Sequence, residues 1–129
     1  MRAAALLFIS LSCMSLGAQL KDKKLIWSDE FDQATLNSDY WTFELGDGCP
    51  YLCGWGNNER QIYTDTNHLL RDGNLVLQAR LEDGEYTSTR IITKDKLEYT
   101  YGYFEVRAKL PVGQGIWPAF WMLGSNISE

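Results

Sequence analysis

Basic runs, long apolar stretches and metal-ligating side chains are all scarce in this chain. Lys and Arg number 12 against 17 Asp and Glu, a net charge of -5, and the basic residues lie scattered among carboxylates. Without a basic stripe the surface lacks the electrostatic footprint of a nucleic-acid binder, so no nucleic-acid partner is expected. The one apolar stretch, Ala3 to Leu16, is too short to cross a bilayer and no second candidate follows, so no membrane span is expected. There are three cysteines and one histidine, His68. Cys49, Cys53 and a distant His68 are too few ligands for a zinc centre.

The apolar stretch has a different reading. Arg2 supplies a positive start and Ser15-Leu16-Gly17 a small-x-small cleavage site, so residues 1–18 read as a secretory signal peptide. Cys13 lies inside it, and Ser10-Leu11-Ser12 before it lack the small-residue pattern of a lipid-attachment cysteine. The mature chain, residues 19–129, is then secreted or periplasmic. An oxidising compartment favours a local disulfide between Cys49 and Cys53, spaced Cys-Pro-Tyr-Leu-Cys.

Nearly all the remaining periodicity is of period two. Phe104, Val106, Ala108 and Leu110 alternate with Tyr103, Glu105, Arg107 and Lys109, the pattern of a strand with one covered face. Leu75, Leu77, Ala79 and Leu81 alternate likewise, and Asp83-Gly84 should join a strand over 75–82 to one over 86–93 as a hairpin. Asp72-Gly73-Asn74 is a second turn sequence. Further strands are expected at 25–27, 40–45, 62–64, 68–71 and 97–99. Many short strands at close spacing predict an all-β sandwich or barrel-like fold in one domain. Residues 46–58 form a long loop rich in Gly, Cys and Asn, the kind of segment on which function sits.

Several constellations bear on chemistry. In Gly113-Gln-Gly-Ile-Trp117-Pro-Ala-Phe-Trp121-Met-Leu123, an extended backbone would place Trp117, Ala119 and Trp121 on one face. Two indole plates around a small residue suit the apolar faces of sugar rings, although indoles serve as readily in cores. The loop Gly54-Trp55-Gly56-Asn57-Asn58-Glu59-Arg60-Gln61 gathers an indole, amides and a carboxylate. Amides and carboxylates can satisfy paired sugar hydroxyls, with Asn57 the first choice for a ligand contact, or they can cap their own turn. Arg90, on a strand of small hydroxyl residues, either pairs with a carboxylate across the sheet or reaches an oxygen-rich ligand. The acidic run Ser28-Asp29-Glu30-Phe31-Asp32 reads as structural, through turn capping or a calcium site of hard oxygen ligands. Glu82, Asp83 and Glu85 straddle a tight turn and read as a solvated hairpin tip.

Five segments in order are similar to the N-terminal half of a glycoside hydrolase family 16 laminarinase: 25–32, 54–59, 86–90, 101–108 and 113–123. The resemblance implies part of a concanavalin-like β-jelly-roll sandwich of two antiparallel sheets, incomplete at the C-terminus, with a cleft on its concave face. It implies endo-hydrolysis of β-1,3- or mixed β-1,3-1,4-glucan with retention, and a β-glucan polysaccharide as the partner of a monomer. It also implies that Asn57, Arg90, Trp117 and Trp121 line the glycone side of the cleft. No cofactor is implied for the chemistry, but a structural calcium is, with Glu30 and Gly73 as main-chain ligands and a third ligand much later in the chain. The family's catalytic Glu-x-Asp-x-x-Glu does not occur between Met1 and Glu129. The chain is therefore expected to be an N-terminal fragment that binds glucan without turnover. The alternative from another class is a non-catalytic β-glucan-binding protein on the same fold.

Overall fold

The computed structural model describes residues 23–127, and the expected signal peptide, residues 1–18, lies outside the described residues. Seven short strands follow in chain order: β1 Thr42–Glu44, β2 Ile62–Tyr63, β3 His68–Leu70, β4 Leu75–Leu77, β5 Arg80–Glu82, β6 Glu85–Ser88 and β7 Arg90–Ile92. A single 3-10 turn, Cys53–Gly56, is the one helical element among the described residues. The all-β expectation holds. The ladders form three small sheets, ordered β1-β7, β2-β6-β5 and β3-β4, antiparallel except for the parallel β2-β6 pair.

Both expected turns form, and for the expected reason. Asp83 and Gly84 take φ of 52° and 84° between Glu82 and its ladder partner Glu85, and Asp72 and Gly73 take 52° and 65° between Arg71 and Asn74. Two successive positive φ values twist in the same sense as the flanking strands, which makes this turn the natural closure of a tight hairpin.

The two long strands of the sequence reading each divide. Residues 75–77 pair with β3, whereas 80–82 pair with β6. Beyond the second turn, β6 lies against β5 and β2, whereas β7 lies against β1. Where a strand changes partner its backbone groups leave one ladder before joining the next, and buried polar groups must find substitutes. Two buried side chains stand at these joints. Asn67, 2% exposed, donates through Nδ2 to the Gln78 carbonyl (3.2 Å) and to Thr87 Oγ1 (2.9 Å), and accepts from Thr64 Oγ1 (2.6 Å). Thr89, 6% exposed, donates to the Thr64 carbonyl at 2.9 Å. Hydroxyls and an amide thus hold together what short ladders alone would leave loose.

The N-terminal segment forms no strand at 25–27, and Leu25 and Ile26 are exposed. Instead Trp27 packs edge-on against Tyr40 and Trp41, with ring centroids 5.7 and 5.9 Å away. Asp29 accepts hydrogen bonds from the Phe31 amide (2.9 Å) and Trp41 Nε1 (2.8 Å), so this member of the acidic run caps a turn and anchors an indole. Lys96 Nζ donates to the Trp41 carbonyl at 2.9 Å and to that of Ser38, tying the loop after β7 to the turn before β1.

The strands expected at 97–99 and 103–110 are absent from the ladders, and the segment 113–123 also runs without sheet partners. Alternation records which face of a strand is to be covered but supplies no neighbour, and no described strand forms a ladder with these residues. Among the described residues no apolar side chain is fully buried, and Phe104, Val106, Leu110 and Phe120 are exposed. No helix among the described residues is long and apolar enough to cross a membrane.

Candidate functional site

The antiparallel register of β1 and β7 sets Glu44 opposite Arg90. The two form an ion pair between Arg90 Nε and Glu44 Oε2, with side chains 20% and 26% exposed. Arg90 therefore takes the carboxylate-pairing option, and its guanidinium also faces aromatic rings. Its central carbon lies 4.4 Å from the Trp55 ring centroid, 5.2 Å from that of Trp121 and 6.0 Å from that of Tyr63. A cation over π faces within about 6 Å is attracted by the ring quadrupole.

Trp55 reaches that position because the loop after β1 is closed on itself. Gly46 and Tyr63 exchange two backbone hydrogen bonds of 2.9 Å, and Cys49 and Cys53 are joined, Sγ–Sγ 2.04 Å. Gly48 turns at φ 84°, and a Cβ there would sit 2.2 Å from the Leu52 carbonyl oxygen, so only glycine fits. Gly54 and Trp55 both take left-handed conformations, with φ of 60° and 50°. For tryptophan that backbone costs about 1–2 kcal/mol. The ring is pinned by Nε1 donating to the Gly46 carbonyl (3.3 Å) and by packing on Tyr63, 5.8 Å between centroids.

A polar chain runs beside it. Glu59 accepts from Tyr63 Oη (2.7 Å), Gln61 Nε2 (2.8 Å) and Asn57 Nδ2 (3.3 Å), and Gln61 also donates to the Tyr63 oxygen at 2.8 Å. Residues 59, 61 and 63 share one parity, which lets their side chains meet, while Asn57 reaches Glu59 from the turn before them, where Asn58 takes φ 56°. Burial raises the Tyr63 pKa, and the hydrogen bond to Glu59 raises it further against the opposing bond from Gln61 and the charge of Arg90. Tyr63 is thus a neutral donor that fixes the Glu59 carboxylate. Asn57 is exposed at the end of this chain and makes the local bond expected of a turn residue.

Of the sequence-predicted residues, Arg90 and Trp121 meet, whereas Trp117 is 90% exposed and does not join them. The two-indole face drawn from period two does not form, because 113–123 is not held straight by a ladder. Glu44 and Tyr63 were missed as partners. Tyr63 was accessible from the odd-numbered series 59–63; Glu44 needed the β1–β7 register, which no local pattern reveals.

On the other side, Gly73 approaches the acidic run. A Cβ at Gly73 would lie 3.0 Å from Asp32 Oδ1 and 3.8 Å from the Glu30 carbonyl oxygen. The Glu30 carbonyl and the Asp32 carboxylate thus both approach Gly73. No group of three or more His, Cys, Asp or Glu side chains among the described residues could hold a metal. Glu82, Asp83 and Glu85 lie exposed at the β5–β6 hairpin tip.

Comparison with known proteins adds a third line. The family profile described as "Glycosyl hydrolases family 16" matches residues 54–129. The crystal structure of a laminarinase from Flavobacterium sp. UMI-01 is 62% identical with a TM-score of 0.79, covering 81% of this chain and 45% of its own. A "Beta-glucanase" of Rhodothermus marinus is 43% identical over 133 residues, covering 95% of this chain and 45% of its own length. A "Glucan endo-1,3-beta-glucosidase" of Cryptopygus antarcticus is 45% identical over 113 residues, 79% of this chain and 39% of its own. The chain thus spans less than half the length of these relatives.

Proposed function

Because the chain belongs to glycosyl hydrolase family 16, we propose that it carries the glycone-side binding wall of an endo-β-1,3(4)-glucanase, contributing substrate contacts but not the bond-breaking carboxylates. The observation that carries this reading is Arg90 lying against Trp55 and Trp121, with Asn57 exposed two residues after Trp55 on the same loop. Indole faces take the apolar faces of glucose rings, while a guanidinium and an amide take their hydroxyls. Trp117, exposed on the same segment as Trp121, is proposed as a further stacking plate for the polymer.

Retaining hydrolysis needs two carboxyl groups about 5–5.5 Å apart across the scissile bond, one as nucleophile and one as acid/base. The two carboxylates in this cluster are already engaged, Glu44 with Arg90 and Glu59 with Tyr63, Gln61 and Asn57. Binding without turnover is the role these residues support. That same engagement favours a second reading, a β-glucan-binding protein without catalysis.

A structural calcium is proposed between the main-chain oxygens of Glu30 and Gly73, where bound cation would brace the N-terminal segment against the β3–β4 turn. Asp32, whose carboxylate approaches Gly73, would supply a further oxygen. Export is proposed from residues 1–18, with Cys49–Cys53 suited to an oxidising compartment. Residues 19–129 are proposed as the N-terminal part of the family's domain, acting as a monomer.

Calorimetric titration of the purified chain with laminarihexaose, beside a reducing-sugar assay on laminarin, tests the reading. Binding without sugar release is expected. Sustained release would overturn the binding-only assignment, and failure to bind would overturn the wall itself. Thermal melting separates the two readings, since a cooperative transition raised by glucan favours the binding protein.

A further inference from the structure

We propose that Glu44 is a positioning residue for glucan recognition, acting through Arg90. The inference rests on the glucan-wall reading above and adds a residue to it. Glu44 stands directly across the β1–β7 ladder from Arg90 and engages the guanidinium at Nε. That is the inner edge of the fork, the one nearest the strand. An arginine has five N–H donors in a rigid plane, so engagement at Nε leaves the outer Nη pair to a ligand. Glu44 Oε2 is buried and has no hydrogen-bond partner among the described residues, so its contact with Arg90 is a pairing of charges, made at Nε.

The stacking fixes what the ion pair does not. One ion pair leaves the guanidinium free to swing about its side-chain axis, and the rings of Trp55 and Trp121, at 4.4 and 5.2 Å, restrict that swing. Glu44 supplies the direction along the fork and the indoles supply the plane. Without Glu44, a long side chain of many rotamers would have to be ordered when ligand arrives, and ordering one such side chain weakens binding roughly twofold to tenfold. Glu59 cannot replace it, because its oxygens are occupied by Tyr63, Gln61 and Asn57.

Laminarihexaose titration of the 129-residue chain as wild type, Glu44→Ala, Glu44→Gln, Arg90→Ala and the Glu44→Ala/Arg90→Ala pair tests the inference. Glu44→Ala should weaken binding roughly twofold to tenfold. The double variant should bind no more weakly than Arg90→Ala alone, because Glu44 works through a group already removed. Glu44→Gln keeps the shape but removes the charge and should lose part of the affinity. Nuclear magnetic relaxation at Arg90 Nε should report an ordered side chain in wild type and a mobile one in Glu44→Ala; a generally loosened fold would not single out this side chain. If Glu44→Ala loses its near-ultraviolet spectrum, the same cycle is run with Glu44→Gln. Losses that add, or full affinity in both Glu44 variants while Arg90→Ala is weakened, overturn the inference. Wild-type affinity in Arg90→Ala instead overturns the glucan-wall reading on which it stands.

Discussion

Asn67 offers the sharpest test of how the fold is held. Its side chain makes three hydrogen bonds at the point where β4–β5 and β6 change partners, to the Gln78 carbonyl, Thr87 Oγ1 and Thr64 Oγ1. Removing them in Asn67→Ala affects unequal partners. Thr64 keeps a 3.0 Å contact with Thr66, and the Thr87 hydroxyl can rotate, but the Gln78 carbonyl loses its side-chain donor. At about 1 kcal/mol for an ordinary bond and 1–3 for a buried group left unpaired, the loss should be about 3 kcal/mol. Asn67→Asp keeps the shape but turns an acceptor toward the Gln78 carbonyl. Burial and that carbonyl both disfavour the charged form, so the introduced carboxyl has a folded pKa above its unfolded value of about 3.9. The native state then holds the proton to higher pH than the unfolded chain does. Stability of Asn67→Asp is best below about pH 4 and falls as pH rises through the raised folded pKa, relative to wild type. Urea denaturation followed by tryptophan fluorescence, at pH 4 and pH 7, reads both effects. Exchange of the Gln78 amide, which donates to the Asn67 carbonyl at 2.8 Å, reports the joint locally. A loss in Asn67→Ala within about 0.5 kcal/mol, the range of an ordinary surface change, would refute the joint. So would an Asn67→Asp deficit independent of pH.

Two further perturbations follow from the site. Tyr63 has a raised folded pKa, so its contribution is complete below about pH 10 and is lost as pH rises through the folded value; Tyr63→Phe should remove that alkaline limb and cost about 1 kcal/mol at neutral pH, read by denaturation at pH 9 and 11. Gly73→Ala places a methyl 3.0 Å from Asp32 Oδ1 at φ 65°, and should cost about 1–2 kcal/mol; if calcium sits there as proposed, adding calcium should raise the melting temperature of wild type more than that of the variant, and an equal response would remove Gly73 from that site.

Much of the ladder was legible because its signals are local. Asp-Gly at 72–73 and 83–84 readily takes positive φ, and the flanking alternation names the strands it joins. The breaks at Gln78-Ala79 and Thr89 were not legible, since each half of those runs alternates as well as the whole. Arg90 showed its two options in sequence without showing that they coexist, with Glu44 on one edge and indoles on its faces. Trp121 and Trp117 looked equivalent by spacing, and only the folded chain separates them. The left-handed Trp55 carried no sequence signal, because tryptophan rarely occupies that conformation without a closed loop to impose it.

By itself the sequence determined strand type, both hairpin turns, the family and the residue kinds suited to a sugar. These depend on near neighbours along the chain and on ordered motifs. The tertiary structure decided which strand lies beside which, and hence that Glu44 faces Arg90, that Asn67 bridges three segments and that Trp55 rather than Trp117 stacks on the guanidinium. The physical reason is that ladder register is a long-range choice. Residues 44 and 90 are set opposite by hydrogen bonds between β1 and β7, and no pattern within either strand encodes the other.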